Sequence, residues 1–439
     1  MAASSPPPSR RRFLKTVGGV AAGVAVGAAE GAAQDPDATF QLARSARQGQ
    51  TGASRNTWDT VVVGAGVMGA WTAFELRRRG QRVLLVDASG LAHARASSGG
   101  ESRATRTIYG PDDIYTVMAW ESLDDWRWLS SRSGLPIFHP TGVLMLFGER
   151  DPYVVGSLES HQRLGIPLVM WGRAELARRY PQIALDGVTF GLSEPELGAL
   201  MARRAVHTLV GEFVAAGGEY RLASILPPDE GGALPGLRTV QGETLEAGRY
   251  VFACGPWLPK LFPTVLAGRI FPTRQEVFYF APPEGDDRFG PGHLPTWADF
   301  NGGDVYYGFP DLEARGFKIA HDRHGPAFDP DTGSRQITAE GLENVRGYLV
   351  RRFPDLAERP LVESRVCQYE NSSNGDLLMD VHPAWPERVL LVGAGSGHGF
   401  KHGPAIGRFA ADLVTGVRPG TDPRFSLATK GEVQRREVH

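Results

Sequence analysis

Cysteine is the residue that this sequence has least of, with two among 439 positions. Two cysteines cannot build a disulfide-stapled scaffold or an all-cysteine zinc site, and we predict no metal site. An excess of one charge is also missing, because 47 lysines and arginines against 49 aspartates and glutamates leave a net charge of −2. That balance gives no reason to expect nucleic acid or an anionic membrane as a partner. The 42% of hydrophobic residues is instead typical of a globular protein with a substantial core.

The N-terminal segment has the pattern of a twin-arginine export signal. Arg10 and Arg11 precede Phe-Leu-Lys and then a run of alanine, glycine and valine. This run is too weakly apolar to predict a membrane span. We predict the signal over residues 1–33 and a polar linker over 34–56; the alternative is a basic tail. The twin-arginine export machinery carries folded proteins, so we expect a periplasmic or secreted protein, tethered to the membrane if the signal is uncleaved.

The first strong periodic pattern predicts a strand, a glycine turn, an amphipathic helix and a second strand. Gly64, Gly66 and Gly69 form G-x-G-x-x-G directly after three valines, and Asp87 ends the second strand. Gly64 permits the tight turn, Gly66 lets a pyrophosphate approach the backbone, and Gly69 lets helix and strand pack closely. The acid can hold a ribose hydroxyl. The unit predicts dinucleotide binding without choosing between FAD and NAD, and a glycine-rich turn of another α/β sheet is the alternative.

Two further buried strands and several β-rich segments suggest how the chain is organised. The strands lie in "RYVFACGPW" and "ERVLLVGAG", and β character recurs in "RQEVFYFAPP" and "DVYYGFP". Helical patterns lie in "TVMAWESLDDWRWLSSR" and "TAEGLENVRGYLVRRF". We predict an α/β fold in which a doubly wound, Rossmann-like nucleotide-binding domain (57–141, 201–270 and 374–430) is interleaved with an α+β substrate domain (142–200 and 271–373). The substrate domain should contain a large mixed or antiparallel sheet.

Five motifs in order carry a family resemblance: "VVVGAGVMGA", "SSGGESRATR", "VYYGFP" with "GFKIA", "VCQYE" and "GSGHGFKHGP". Together they resemble the monomeric sarcosine oxidase and N-methyltryptophan oxidase family, within the D-amino-acid-oxidase-like flavoproteins. The resemblance runs from about residue 57 to 425. It implies FAD as cofactor and a substrate sheet that covers the flavin. It also implies a monomer that oxidises a small amino acid with O2 as the final acceptor.

The resemblance also assigns roles to individual residues. Its cofactor-binding positions fall on Gly64, Gly66, Gly69, Asp87, Ser98, Arg103, Cys367, Gly397, His398 and Gly399. Its catalytic positions fall on Arg106 and Lys401, which would hold the substrate carboxylate, on Lys318, which would activate oxygen, and on Tyr307 and Tyr369, which would line the substrate cavity. The glycines would let the backbone approach the flavin ring, and we expect His398 to brace its loop. A helix starting at Pro404 would direct its N-terminus at the ring.

Four of these five catalytic residues have a simpler alternative when each is taken alone. Arg106 would be an exposed arginine on a surface helix, and Lys318 would be a solvated lysine at the end of a strand. The tyrosines would be ordinary residues of a β-sheet. The alternation in "GFKIA" predicts a strand with Phe317 and Ile319 on one face and Lys318 on the other. The sequence does not say what the lysine face meets.

Cys367 falls where the family attaches its flavin through a thioether. A thiolate stabilised by a positive environment suits that chemistry. The alternatives are a buried cysteine that packs as a small hydrophobe, and a disulfide with Cys254 after export. Cys254 lies on a predicted strand, where packing is its expected role.

The match to the family breaks at two places. Ser98 and Gly99 stand where the family has a histidine pair, and Asp322 stands where it has a histidine four positions after the oxygen-activating lysine. We expect flavin binding to survive these changes and the choice of substrate to differ. A negative Asp322 would favour a substrate with a cationic arm.

These observations predict an FAD-dependent oxidase of a secondary or primary amino acid that releases hydrogen peroxide. One alternative is a dehydrogenase of the same fold that passes electrons to a quinone or a carrier protein. A nicotinamide-dependent dehydrogenase is disfavoured, because export would separate it from recycled NAD. A flavin-bound subunit without turnover is disfavoured by the carboxylate-binding pair Arg106 and Lys401.

Overall fold

The computed structural model describes residues 58–301, 305–323 and 325–434. The predicted signal (1–33) and linker (34–56) lie outside these residues. The strands are β1 (Trp58–Val63), β2 (Val83–Asp87), β3 (Ser102–Thr105), β4 (Phe138–His139), β5 (Val143–Phe147), β6 (Val169–Gly172), β7 (Phe190–Glu194), β8 (Gly198–Met201), β9 (Glu219–Leu222), β10 (Leu237–Arg238), β11 (Thr244–Leu245), β12 (Ala247–Phe252), β13 (Ile270–Phe280), β14 (Thr296–Asp299), β15 (Val305–Phe309), β16 (Phe317–Asp322), β17 (Leu361–Ser372), β18 (Leu378–Val381) and β19 (Val389–Gly393). The helices are α1 (Val67–Arg78), α2 (Asp113–Ser131), α3 (Pro152–Leu164), α4 (Arg173–Arg179), α5 (Ala202–Ala215), α6 (Leu258–Leu261), α7 (Pro263–Leu266), α8 (Ala339–Arg352) and α9 (Gly403–Thr415).

A six-stranded sheet in the order β18-β19-β12-β1-β2-β9 carries the glycine turn. Its pairs are parallel except for β18 with β19. Val62 of β1 packs into one apolar cluster with α1, α5 and α9, while Val61 and Val63 pack into another with α6 and α7. Both faces of the sheet are therefore buried, which is why its strands read as nearly continuous hydrophobic runs.

An eight-stranded mixed sheet in the order β17-β13-β16-β15-β14-β5-β7-β6 forms the second layer. Only β14 with β5 is a parallel pair among its described strands. Phe317 and Ile319 of β16 pack in the cluster that contains Val345 and Leu349 of α8. Lys318 lies on the opposite face, so the alternation predicted for this strand is confirmed.

The predicted α/β architecture is confirmed, including both helical stretches, which form α2 and α8. The strands of the six-stranded sheet all fall in the ranges predicted for the nucleotide-binding domain. Those of the eight-stranded sheet fall in the substrate ranges, apart from Ile270, the first residue of β13. The described residues belong to one compact unit, so the exact domain boundaries stay a prediction. None of the described helices is long and apolar enough to cross a bilayer.

Candidate active site

A cavity of about 830 Å³ runs from the glycine turn after β1 to the inner face of the eight-stranded sheet. Fourteen of the fifteen predicted site residues line it, and Gly69 is the exception. Ligand cavities of this size are ordinary for cofactor-sized molecules. The sequence-based predictions therefore converge on a single place in the fold, although each residue's role stays a prediction.

The three glycines of the turn meet different constraints. Gly64 has φ of +99°, and a Cβ there would lie 2.4 Å from the Ala253 carbonyl oxygen. A Cβ on Gly69 would lie 1.9 Å from the Gly64 oxygen, so this glycine lets α1 pack against the turn. A Cβ on Gly66 would meet nothing closer than the Ser98 Oγ at 3.4 Å. Gly66 thus leaves open space at the N-terminus of α1, where backbone N–H groups favour an anion.

Asp87 and Ser98 hold the backbone around this helix start. The Asp87 carboxylate accepts a hydrogen bond of 2.9 Å from the Ala65 N–H, and of 2.8 Å from the Ser89 N–H. The Ser98 hydroxyl accepts one of 3.1 Å from the Val67 N–H. Both side chains also line the cavity, so they can fix the turn and still face a ligand.

Cys367 lies in the cavity wall on β17. Its Sγ accepts a hydrogen bond of 3.8 Å from the Arg103 guanidinium, which supplies the positive environment that a reactive thiolate needs. Cys254 is also a free thiol, so the alternative of a disulfide between the two is not supported. Burial raises the pKa of Cys254 well above its usual value, which fits the packing role expected for it.

Arg106 and Lys401 come together on one aromatic ring. The Arg106 guanidinium carbon lies 4.3 Å and the Lys401 Nζ 5.1 Å from the Tyr109 ring centroid. Arg106 donates to the Ile108 carbonyl oxygen, and Lys401 donates to the His398 carbonyl oxygen at 2.9 Å. Arg106 follows β3 in a half-buried segment, so the alternative of an exposed arginine on a surface helix is wrong. The pair gives the cavity a strongly positive corner.

A network of buried histidines and tyrosines supports that corner. The Tyr109 hydroxyl lies 3.2 Å from His398 Nδ1 and 2.8 Å from His402 Nε2. His398 Nε2 lies 3.1 Å from the Gly375 carbonyl oxygen, which supports the bracing role expected for His398. Burial and the neighbouring Lys401 hold the pKa of His402 well below its usual value, so His402 is neutral and adds no further positive charge.

Lys318 is 3% exposed and lines the cavity, so the alternative of a solvated lysine is wrong. Its Nζ donates to the Ser102 carbonyl oxygen at 2.8 Å and to the Ser102 hydroxyl at 3.1 Å. Burial, with a smaller contribution from Arg103, holds its pKa well below the usual value. The sequence did not say what the Lys318 face of the sheet meets. In the structure this face lines the cavity.

Tyr307 and Tyr369 lie beside the half-buried carboxyl group of Asp322. The Tyr369 hydroxyl donates to Asp322 Oδ1 at 2.9 Å. Burial raises the pKa of Asp322 to about 6, against the Tyr369 hydrogen bond and the charges of Arg106 and Lys401, which lower it. Burial likewise raises the pKa values of both tyrosines, so they stay neutral hydrogen-bonding walls. Asp322 is the acid at the position where the resemblance would place a histidine.

Glu370 is a cavity residue that sequence reasoning missed. Its Oε1 is buried without a hydrogen-bond partner within the protein, and burial raises its pKa to about 7, against the N–H groups of Ala394 and Gly395. An orphaned buried oxygen in the cavity wall fits a ligand that brings hydroxyl groups, as a ribityl chain does. Tyr109 was missed as well, because three of its neighbours (His398, His402 and Lys401) come from a segment that is distant in sequence.

The open helix start, the carboxylate at the end of β2 and the orphaned oxygen fit an adenine dinucleotide flavin. The family model described as DAO, FAD dependent oxidoreductase, matches residues 59–413. The chain belongs to this family of FAD-dependent oxidoreductases, and the resemblance predicted from the motifs is confirmed.

Among the relatives is the monomeric sarcosine oxidase of Streptomyces avermitilis, 30% identical over 363 residues, covering 82% of this chain and 94% of that protein. The N-methyl-L-tryptophan oxidase of Citrobacter koseri is 26% identical over 370 residues, covering 83% and 96%. The solved structure of the fructosamine oxidase Amadoriase II from Aspergillus fumigatus superimposes with a TM-score of 0.70. That structure is 21% identical, covers 88% of this chain and 92% of its own, and shows the shared fold. These matches make the protein a flavoenzyme with amine and amino-acid oxidases as its relatives.

Proposed function

We propose that the protein oxidises the C–N bond of a secondary or primary amino acid, with N-methyl and cyclic amino acids as the first substrates to test. Two electrons and two protons leave the C–N unit, water hydrolyses the resulting imine to an amine and a carbonyl compound, and O2 is reduced to hydrogen peroxide. The names of the sarcosine and N-methyltryptophan oxidase relatives support this substrate class.

The observation that carries the proposal is the positive corner made by Arg106 and Lys401. A guanidinium presents a planar fork that matches a carboxylate, and an ammonium adds a movable charge. Both cations face the same cavity as Cys367 and Lys318. A substrate carboxylate held there would have its amine directed along the inner face of the eight-stranded sheet, between Tyr307 and Tyr369.

The cofactor would be held by residues from both sheets. The N-terminus of α1, opened by Gly66, would take the pyrophosphate, and Asp87 would take a ribose hydroxyl. Bound FAD supplies the hydride acceptor that no side chain can provide. The N-terminus of α9 and the loop of Gly397 and Gly399 would favour negative charge next to it.

Lys318 would assist oxygen reduction. In its protonated form the buried ammonium favours transfer of the first electron to O2, because superoxide is an anion. Ser102 holds the Nζ in place with its carbonyl and hydroxyl oxygens.

The proposal that Cys367 attaches the flavin through a thioether rests on the position of its sulfur, which lies in the cavity wall next to Arg103.

The cellular setting is part of the proposal. The pattern of residues 1–33 supports export in folded form by the twin-arginine machinery, into the periplasm or the medium. The name of the Streptomyces relative supports a monomer.

The experiment compares Arg106→Lys and Arg106→Met in flavin bleaching under nitrogen and in peroxide release under air. We expect the wild type to bleach with at least one N-methyl, cyclic or primary amino acid. We expect Arg106→Met to raise KM by about 100-fold or more, since a buried carboxylate loses a charged partner, while Arg106→Lys retains part of the affinity. Equal bleaching by wild type and Arg106→Met would contradict the proposal. Bleaching without peroxide would identify a dehydrogenase.

A further inference from the structure

The Asp322 carboxyl group has no role in the carboxylate-binding pair, yet it shares the same cavity. Asp322 ends β16, four residues after Lys318 and therefore on the same inner face of the sheet. Its Oδ1 accepts the Tyr369 hydroxyl at 2.9 Å. The carboxyl group thus lines the cavity that would take the substrate, and the hydrogen bond from Tyr369 of β17 fixes its position.

The groups that face Asp322 come from four parts of the fold. Tyr369 comes from β17 and Tyr307 from β15. Arg106 comes from the segment after β3, and Lys401 from the turn before α9. Arg106 and Lys401 would hold a carboxylate and Asp322 is the acid beside them, so this part of the cavity complements the charges of an amino-acid zwitterion.

The proton on that zwitterion must leave before oxidation. Only the neutral amine has the electron pair that drives hydride loss from the neighbouring carbon. Arg106 and Lys401 also raise the free energy of a nearby ammonium. A nearby carboxylate at hydrogen-bonding distance is the group that can receive the proton.

We infer that Asp322 accepts the proton of the substrate ammonium, so that the enzyme binds its amino acid as the zwitterion and converts it to the reactive neutral amine in place. This inference rests on the proposed function. The N–H bond of the ammonium breaks and an O–H bond forms on the carboxyl group. The proton passes to water when the product leaves, so no oxidant or reductant is needed for this step.

The pH dependence follows from the charge state of Asp322. Burial raises its pKa to about 6, so above that pH the carboxylate is ionised and can accept a proton. In the wild type, kcat/KM for bleaching should rise through about pH 6 and then level off. The plateau should begin well below the pKa of the substrate's own amine.

The test is Asp322→Asn, measured as kcat/KM for anaerobic flavin bleaching between pH 5 and 10. Without the acceptor, only substrate that is already neutral in solution can react. The variant should therefore lose about 100-fold at pH 7, within the range that a positioned base contributes. Its kcat/KM should climb about tenfold per pH unit up to the pKa of the substrate amine.

Tyr369→Phe is a second variant that keeps the acceptor. Loss of the hydrogen bond to the ionised form should raise the pKa of Asp322. The rise of kcat/KM at low pH should then occur at a higher pH. The matched control is Tyr306→Phe on β15, whose hydroxyl bonds Asn344 Oδ1 at 2.9 Å on the other face of the sheet. In this control variant, kcat/KM should rise at the same pH as in the wild type.

Calorimetry in buffers of different ionisation enthalpy gives a readout apart from turnover. Below the substrate's amine pKa, the wild type should transfer the ammonium proton within the complex, without net release to buffer. A quaternary ammonium acid, which has no proton to give, should bind the wild type with its charge intact and bind Asp322→Asn less tightly. An Asp322→Asn profile that matches the wild type would overturn the inference. Absence of bleaching by every amino acid would overturn the proposed function instead.

Discussion

Among single residues, Glu370 is a buried acid whose carboxyl group accepts the backbone N–H groups of a neighbouring loop. It is 6% exposed and receives the N–H groups of Ala394 and Gly395. Ala394 and Ser396 adopt φ of 56° and 44°, a region that costs non-glycine residues free energy. The carboxyl group therefore lies where a strained loop presents its backbone donors, which ties the acid to the loop before α9.

Glu370→Gln tests this description through the stability of flavin-free protein. The folded-state pKa of about 7 lies above the ordinary 4.5. The native state therefore keeps a proton that the unfolded chain loses, and stability should fall as pH rises from about 4.5 to 7. The fall attributable to this group is of the order of 3 kcal/mol. Urea unfolding should show the Glu370→Gln variant gaining stability relative to the wild type across that window, and parallel pH profiles would contradict the assignment.

The residues that the sequence predicted belong to a local motif, whereas the residues that it missed depend on contacts made in the tertiary fold. Gly64 and Asp87 were predictable because a strand, a turn and a helix constrain them within one βαβ unit. Glu370 was missed because, in sequence, it is one more polar residue on a long strand. Tyr109 was missed because its role depends on His402 and Lys401, which are distant in sequence and reach its ring only in the tertiary fold.

At the scale of elements, two glycines of the turn between β1 and α1 have different functions, which the glycine motif alone does not distinguish. Gly69 serves the packing of helix against strand, since a Cβ there would overlap the Gly64 oxygen. Gly66 serves a ligand, since a Cβ there would meet no backbone of this turn. Burial and space, which the motif does not contain, distinguish the two positions.

Gly66→Ala and Gly69→Ala should therefore fail in different ways. Gly66→Ala should fold with nearly unchanged flavin-free stability and bind FAD at least about tenfold more weakly, because a methyl group would stand where the pyrophosphate approaches. Gly69→Ala should lose about 1–3 kcal/mol of unfolding free energy from overpacking. Chemical denaturation and FAD titration measure the two effects, both in a Cys367→Ser background in which the flavin can dissociate. Equal losses of stability in both variants would contradict the separation.

Strand alternation was the most informative pattern for the second sheet. It fixed Lys318 on the face opposite Phe317 and Ile319, because side chains alternate along a strand. It could not say that this face meets a cavity, because that depends on which strands neighbour β16. The pairing of β16 with β13 and β15 is a long-range contact that a local pattern does not contain.

At the scale of the whole molecule, the cavity exists because two sheets approach each other across the chain's interleaved segments. Gly66 and Asp87 belong to the six-stranded sheet and its turn, whereas Cys367 and Lys318 belong to the eight-stranded sheet. A cofactor that touches both would act as a bridge, and its binding free energy would add to the stability of the fold. A covalent bond at Cys367 would make that contribution independent of free FAD.

If the proposed thioether forms, Cys367→Ser should change the protein from one that holds its flavin covalently to one that binds it reversibly. Acid precipitation of the wild type should leave the yellow colour in the pellet, whereas the variant should release it to the supernatant. The melting temperature of the variant should rise with added FAD, by an amount that corresponds to about 2.7 kcal/mol at a hundredfold excess over Kd, while that of the wild type stays constant. Cys254→Ser is the matched control, because its thiol contacts the Val63 carbonyl oxygen at 3.3 Å and should not affect the tether. Colour that leaves the wild-type pellet, or stays with Cys367→Ser, would show that β17 carries no flavin bond.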